Sequence, residues 1–458
     1  MKGAPTMRDL VKSALTLPWA ISMLGVQQVS NLLAPPPKGR LAGTTDALDT
    51  VSDVTAQQLD GWLKQTYKIG TGMQTMLVDL MMLRTPEFDQ SMLMHMAAEM
   101  QDGPMFQAVV KYGLPPLGWL DSFLVSRRDA PGAVQEFYNK LQIIMLVTHV
   151  HAELGLDANT VDSLYVLVDR VGAMPTFPRV WATEGLGNWY GDVAVRKAEG
   201  GPDPTGLLTD PQYAGLAPWS MTMLHAGIGM SFAKAVLVKL EPTSSAEVIR
   251  AGIARFVRLC RDSSRPGYAG AALESFGLAT RTLYPNLLRL IDREIPHVDP
   301  DLLGYYWHGA GRAMYFEPMG MLPSVNAPWR VIRRLDEEAP HELARHNILS
   351  GVGWALSIVN MREPTVMETF LRHHAAQMTA ENAFTNGVTS SLMMRYDTSR
   401  DDPHIQPYLH YTPSDPEIAS AWRDLITIPC ETALHTTYPL LQSTNSLEQV
   451  FHYRPAAL

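Results

Sequence analysis

Apolar residues recur at three- and four-residue intervals along most of the chain, and no set of segments alternates apolar and polar positions as half-buried strands do. The pattern predicts a mainly α protein. Met7–Leu33 reads as one helix, kinked at Pro18 or starting there, and Ala34–Gly39 as a proline-rich linker. Thr45–Arg84 carries Leu48, Val51, Val54, Leu59 and Leu63, then Met73, Leu77, Leu80 and Met81, with a break at Ile69–Gly72 that splits it into two helices. Further helices are expected at Ser91–Met100, Ala133–Leu154 and Asn159–Val171, with a turn at Gly113–Gly118. Gly185–Pro218 is rich in Gly, Pro and Asp without clear periodicity and reads as a long connector. The tail from Tyr396 is mixed, with a short helix expected over Glu417–Ile428.

Between connector and tail, a glycine motif recurs. It opens at Gly227, Gly270, Gly309, Gly351 and Gly387, at spacings of 43, 39, 42 and 36 residues. The third place is small in every copy, and the fifth is Ser or Ala in all but one, where Glu274 stands. A fixed period of about forty residues marks stacked helical units. On a helix, places one and five share a face. The motif therefore predicts smooth strips where neighbouring backbones approach closely, enough to offset the roughly 1 kcal/mol that glycine costs in a helix interior. A phosphate-binding turn would need a preceding strand and a third glycine at the proper offset, and both are missing. The expected architecture is an α-solenoid-like array over 219–395. Ahead of it come an apolar helix and linker (1–40), a helical region (41–184) and the connector (185–218); the tail (396–458) follows.

Composition narrows the function classes. The chain has 458 residues, 46% hydrophobic and 18% charged, enough for a large core. A net charge of −9 without any dense Lys/Arg run argues against nucleic-acid binding. Cys260 and Cys430 form neither a CxxC nor a disulfide framework, so a reducing cytoplasm is expected. Ser13–Pro37 contains no charge, but its strongly apolar part is only Ala14–Val26, short of the roughly 20 residues of a spanning helix. A signal peptide would fit the basic start but lacks an A-x-A-like site. A helix that packs internally or lies on a membrane surface is the expected outcome.

Chemistry has two candidate clusters, Arg261, Asp262 and Arg265 in one, Tyr306, His308 and Arg312 in the other, with His225 two residues before Gly227. Stacked in register, the histidines would line one edge of neighbouring units and offer an acid or base, and Arg312 could pair with an anion. The same residues could equally cap helices and tie repeats together. A metal site is not expected. His95 and Glu99 share a helix face, but the Glu-x-x-His spacing of carboxylate bundles is absent. His149 and His151 would point about 200° apart on a helix, and His373–His374 has the same difficulty. No cofactor is predicted, and no nucleophile motif such as Gly-x-Ser-x-Gly is present. The methionines, 25 in all, read as core filler, or as an adaptable apolar binding surface.

Pro266–Tyr268, Leu303–Phe316 and His346–Leu356 resemble, in that order, segments of the C-terminal half of an uncharacterised bacterial family found in gene clusters for enediyne-type polyketides. The resemblance covers about a fifth of the chain, Pro266 to Asn360, and the first 215 residues have no counterpart in it. It implies an accessory protein, enzyme or not, in polyketide or related secondary-metabolite biosynthesis; the concave face that stacked His, Arg and aromatic side chains would line suits an anionic, apolar or polyene-like small molecule. The alternative is a non-catalytic repeat scaffold with protein partners on its surface, docked peripherally on a membrane or an apolar particle through residues 7–33.

Overall fold

A computed structural model describes residues 130–156, 163–316, 327–379 and 382–454, and those from Gln135 onward belong to one compact unit. The apolar N-terminal helix, the linker, the helices expected before residue 130 and the His95/Glu99 pair lie outside the described residues. The protein is mainly helical, and the described residues contain no strand.

Twelve helices carry the architecture: α1 (Ala130–Glu153), α2 (Leu164–Gly172), α3 (Thr176–Lys197), α4 (Met221–Leu237), α5 (Ala246–Ser263), α6 (Ala269–Leu283), α7 (Leu288–Glu294), α8 (Leu302–Phe316), α9 (Ala327–Glu338), α10 (Glu342–Asn360), α11 (Pro364–Met378) and α12 (Asn382–Thr398). They form two classes. In α5, burial falls on Ile249, Ile253, Phe256, Val257 and Cys260, a single face. In α10, every residue from Asn347 to Asn360 is buried. The all-round helices α3, α4, α6, α8, α10 and α12 pack in chain order as a central row, and the one-sided helices return the chain between them.

A pair of small residues sets the register of that row. In α8 the pair is Gly309 and Gly311: a Cβ on Gly309 would lie 2.1 Å from the Glu274 carbonyl oxygen of α6, and one on Gly311 would lie 2.3 Å from the Ile348 carbonyl of α10. In α10, Gly351 faces the His308 carbonyl at 2.1 Å and Gly353 the Phe384 carbonyl of α12 at 2.8 Å. Gly227 and Gly229 of α4 do the same toward Glu184 (1.9 Å) and Ala272 (2.2 Å). The first member always meets the residue just before the previous pair, and the second meets the residue three before the next pair. In α12 the second place is Thr389, and that helix has no successor in the row.

This register corrects two expectations. The copy in α6 is Ser275–Gly277, not the segment opening at Gly270: Ser275 donates to the Ala226 carbonyl at 2.8 Å, and a Cβ on Gly277 would lie 1.7 Å from the Tyr306 carbonyl. Gly270 instead faces Glu448 and Tyr305. The row also begins earlier than residue 219. Gly185 and Gly187 are a pair inside α3, facing the Leu146 carbonyl of α1 at 2.3 Å and the Leu224 carbonyl of α4 at 2.4 Å. Glycines placed for close packing imitate a connector's composition, so residues 185–197 are helix. The true connection is 198–217, pinned where Asp203 accepts from Arg255 and Arg258.

The row turns back on itself instead of continuing as an open solenoid. Thr222 of α4 donates to Asp397 of α12 at 3.0 Å, and Arg179 of α3 donates to Ser399, just past α12, at 3.1 Å. The Arg362 guanidinium, after α10, lies 3.3 Å from the centre of the Phe177 ring of α3.

The tail is more helical than its sequence predicts. After α13 (Ile405–Leu409), α14 (Pro416–Trp422), α15 (Ile428–Thr432) and α16 (Tyr438–Ser443) run on through two π turns, Arg423–Thr427 and Ala433–Thr437. Pro429 and Pro439 are each the second residue after a π turn. Proline lacks the N–H and crowds the carbonyl four residues back; the wider turns let the helix pass each proline without ending.

Candidate functional site

The residue before each small pair stands on one interior line, and in every pair but the last it carries the carbonyl that the next helix touches. Those residues are Glu184, Ala226, Glu274, His308, Ser350 and Asn386. Two of them, Glu184 and Glu274, meet Arg312, which stands three residues beyond Gly309, and His308 joins through Glu274. His308 Nδ1 is 2.6 Å from Glu274 Oε1, Arg312 Nη1 is 2.5 Å from Glu274 Oε2, and Arg312 Nη2 is 3.5 Å from Glu184 Oε1. Beside them, the Arg312 guanidinium lies 4.1 Å from the centre of the Trp354 ring, and the His308 ring packs edge-on to Trp354. Glu274 and His308 are wholly buried, Glu184 and Arg312 nearly so.

Charge sets the protonation pattern. Burial pushes the Glu274 carboxyl up, but Arg312 and His308 outweigh it and hold it below the usual carboxylate range. Burial also raises the Glu184 carboxyl, and there the opposing pull of Arg312 does not prevail. Glu274 is therefore the ionised partner and accepts on both oxygens, so His308 Nδ1 donates the proton. His308 Nε2 is buried and has no hydrogen-bond partner, as do Arg312 Nε, Trp354 Nε1 and Asn188 Oδ1. Buried polar atoms without partners are uncommon, and an unfilled ligand position is one recognised reason for them. A carboxylate-held imidazole with an open Nε2 is the arrangement that makes a general base, and an adjacent guanidinium can stabilise the anion formed.

The sequence candidates divide. His308 and Arg312 belong to the cluster. His225 does not: its Nδ1 is 2.6 Å from the Met221 carbonyl, its Nε2 accepts the Arg265 backbone N–H at 3.0 Å, and its ring stacks on Tyr268. Both nitrogens are used within the protein, and burial pushes its pKa down to about 4. Arg265 donates to the backbone carbonyls of Leu208 and Tyr213, fixing the connection. Arg261 pairs with Asp299 at 2.6 Å, and the Asp262 carbonyl accepts from Thr209. Tyr306 donates to the Leu288 carbonyl at 3.0 Å, tying α8 to α7. Glu184, Glu274 and Trp354 were not among the candidates. Glu274 had left a signal, as the one charged residue at the motif's fifth place.

Among the described residues no group of three or more His, Cys, Asp and Glu side chains is placed to hold a metal ion, and no helix is long and apolar enough to cross a membrane. Both cysteines are buried and unpaired. No protein family, curated protein or solved structure matches this chain.

Proposed function

We propose that this helical array is an enzyme of polyketide or related secondary-metabolite biosynthesis, in which His308 acts as general base on an apolar small molecule. One observation carries the reading: His308 Nε2 is buried and unpartnered while its Nδ1 is held by the Glu274 carboxylate. Glu274 orients the imidazole by accepting its Nδ1 proton, which leaves Nε2 as the accepting nitrogen. Arg312 is placed to stabilise negative charge on the substrate, and Trp354 offers an apolar face. The resemblance to the polyketide-cluster family supports the pathway, because Leu303–Phe316 contains both His308 and Arg312.

The test is metabolite profiling of the native host with the gene deleted and then restored. The wild-type gene should recover a metabolite that the deletion removes. His308→Gln, which keeps a polar side chain of similar length, should lower that metabolite at least about a hundredfold, the usual scale of a general-base contribution. Full recovery by a folded His308→Gln protein would remove the assignment.

A further inference from the structure

The interior line is covered at one end by the segment that follows α16. A 3-10 turn, Leu447–Phe451, packs against α6, α8 and α12, and it and the residues after it reach α10 at Trp354 and Asn347. Each contact on the path is specific. The Glu448 N–H donates to the Gly267 carbonyl at 2.8 Å. Phe451 packs on Trp354, the residue under Arg312, with ring centres 6.4 Å apart. His452 lies on Tyr305, ring centres 4.4 Å apart, and over Gly304, where a Cβ would come within 3.3 Å of the His452 side chain. Tyr453 is clasped in both directions by Asn347, at 2.7 and 3.1 Å. At the surface Arg454 pairs with Asp301 at 3.2 Å.

Gly304 and His308 are four residues apart on α8 and share a face. His452 occupies the space that a side chain at 304 would fill, so two imidazoles stand one turn apart along that face. His452 Nδ1, like His308 Nε2, is buried without a partner. The positive charge of Arg454 and the nearness of His308 add to burial in keeping His452 neutral. The cover is held differently from the helices beneath it. It carries no helical ladder of its own beyond one 3-10 turn: its backbone bonds to the rest of the protein at two places, Glu448 to Gly267 and Tyr453 to Asn347, its buried side chains Leu447, Val450 and Phe451 and the close approach of the Glu448 carbonyl to Gly270 hold its inner part, and one exposed ion pair holds its outer end.

We propose that residues 447–454 are the removable cover of the His308 site, and that His452 is its second imidazole. A ligand reaches His308 when the segment lifts, and closure brings His452 Nδ1 against it together with Phe451. The proposal rests on His308 being the reacting group, and its test is read without catalysis.

Asp301→Cys and Arg454→Cys, introduced together in the full chain, place a disulfide where the exposed ion pair stands. Diethyl pyrocarbonate, which modifies accessible neutral imidazoles, is the probe, and peptide mass spectrometry reads each histidine. With the disulfide reduced, His308 should be modified slowly, and oxidation should cut that rate at least about tenfold. The exposed His410 serves as the reference in both states and should not change. Equal modification of His308 in both states would mean that access does not run through this segment. No modification in either state, with His410 reacting, would mean that the segment does not lift. Hydrogen exchange on the wild type gives a second reading should the disulfide fail to form. The amides of Glu448 and Tyr453 should open at least about a hundredfold more often than those of Gly351–Ala355, and equal protection would overturn the proposal. A locked protein that excludes the probe yet still restores the metabolite would retain the cover and refute His308 as the base.

Discussion

His225 and His308 are buried imidazoles on central helices, and they differ in the second ring nitrogen. His225 spends both nitrogens on backbone groups, and His308 spends only one, on the Glu274 carboxylate. For His225 the consequence is thermodynamic. Burial lowers its pKa from the ordinary 6.5 to about 4. Above pH 6.5 it is neutral folded or unfolded and has no effect. As pH falls from 6.5 toward 4, the unfolded chain binds a proton that the folded chain refuses, and stability declines by about 3 kcal/mol in all. His452, pushed down to about 3, adds to the loss on the same acid side. Urea unfolding of His225→Gln at several pH values should give a shallower decline between pH 6.5 and 4; an unchanged slope would show that other groups carry the acid sensitivity. At this scale the sequence was half legible. His308 and Arg312 stand in the repeat motif and can be picked out by type and place. Their partners Glu184 and Glu274 come from helices 128 and 38 residues away from Arg312, and only the folded register brings them in.

Helices are where the sequence spoke most plainly, and also where it misled. The forty-residue spacing of small residues is a direct imprint of helix backbones in contact. The spacing points to Gly270 in α6 because the true place is held by Ser275, which does the work of a glycine by bonding the neighbouring carbonyl. Gly185 and Gly187 read as connector in the sequence because composition does not distinguish a glycine that packs from one that turns. The distinction can be measured. Gly351→Ala would put a Cβ 2.1 Å from the His308 carbonyl, where backbone must shift. A loss of roughly 3 kcal/mol or more is expected, at or above the top of the usual overpacking range. Gly252→Ala, on the outer helix α5, meets only side-chain methyls of Val236 and Leu240 at 3.3–3.4 Å, and no backbone. There the gain in helix propensity, about 1 kcal/mol, should offset the crowding. Thermal unfolding of the two variants should separate them clearly; similar melting would remove the role assigned to the pairs.

At the scale of the whole molecule, the contacts of α12 with α3 and α4 decide how the parts depend on one another. In an open array each unit touches only its neighbours, and a shortened array still melts as a folded protein. Here the last helix supports the first ones through Asp397 and Ser399. The remaining tail supports the middle, as Tyr408 on α13 accepts from Ser357 of α10 at 3.1 Å. A chain ending at Met378 should therefore lose cooperative unfolding altogether, with calorimetry showing no sharp transition. A sharp transition in the truncated chain would mean that the row stands without its closure. This level was the least legible, since periodicity reports that units stack but carries no information on how far the stack curves.

That closure also bears on how such a protein can change over evolutionary time. Open repeat proteins lengthen by tandem duplication of a unit, because a new copy needs only two neighbours. In this chain an added copy would displace α12 from Thr222 and Arg179, and a lost copy would leave those residues facing nothing. The number of units is thus held constant by geometry. Inherited variation in length should collect in the outer connections, such as 198–217, while the six central helices keep both their count and their order.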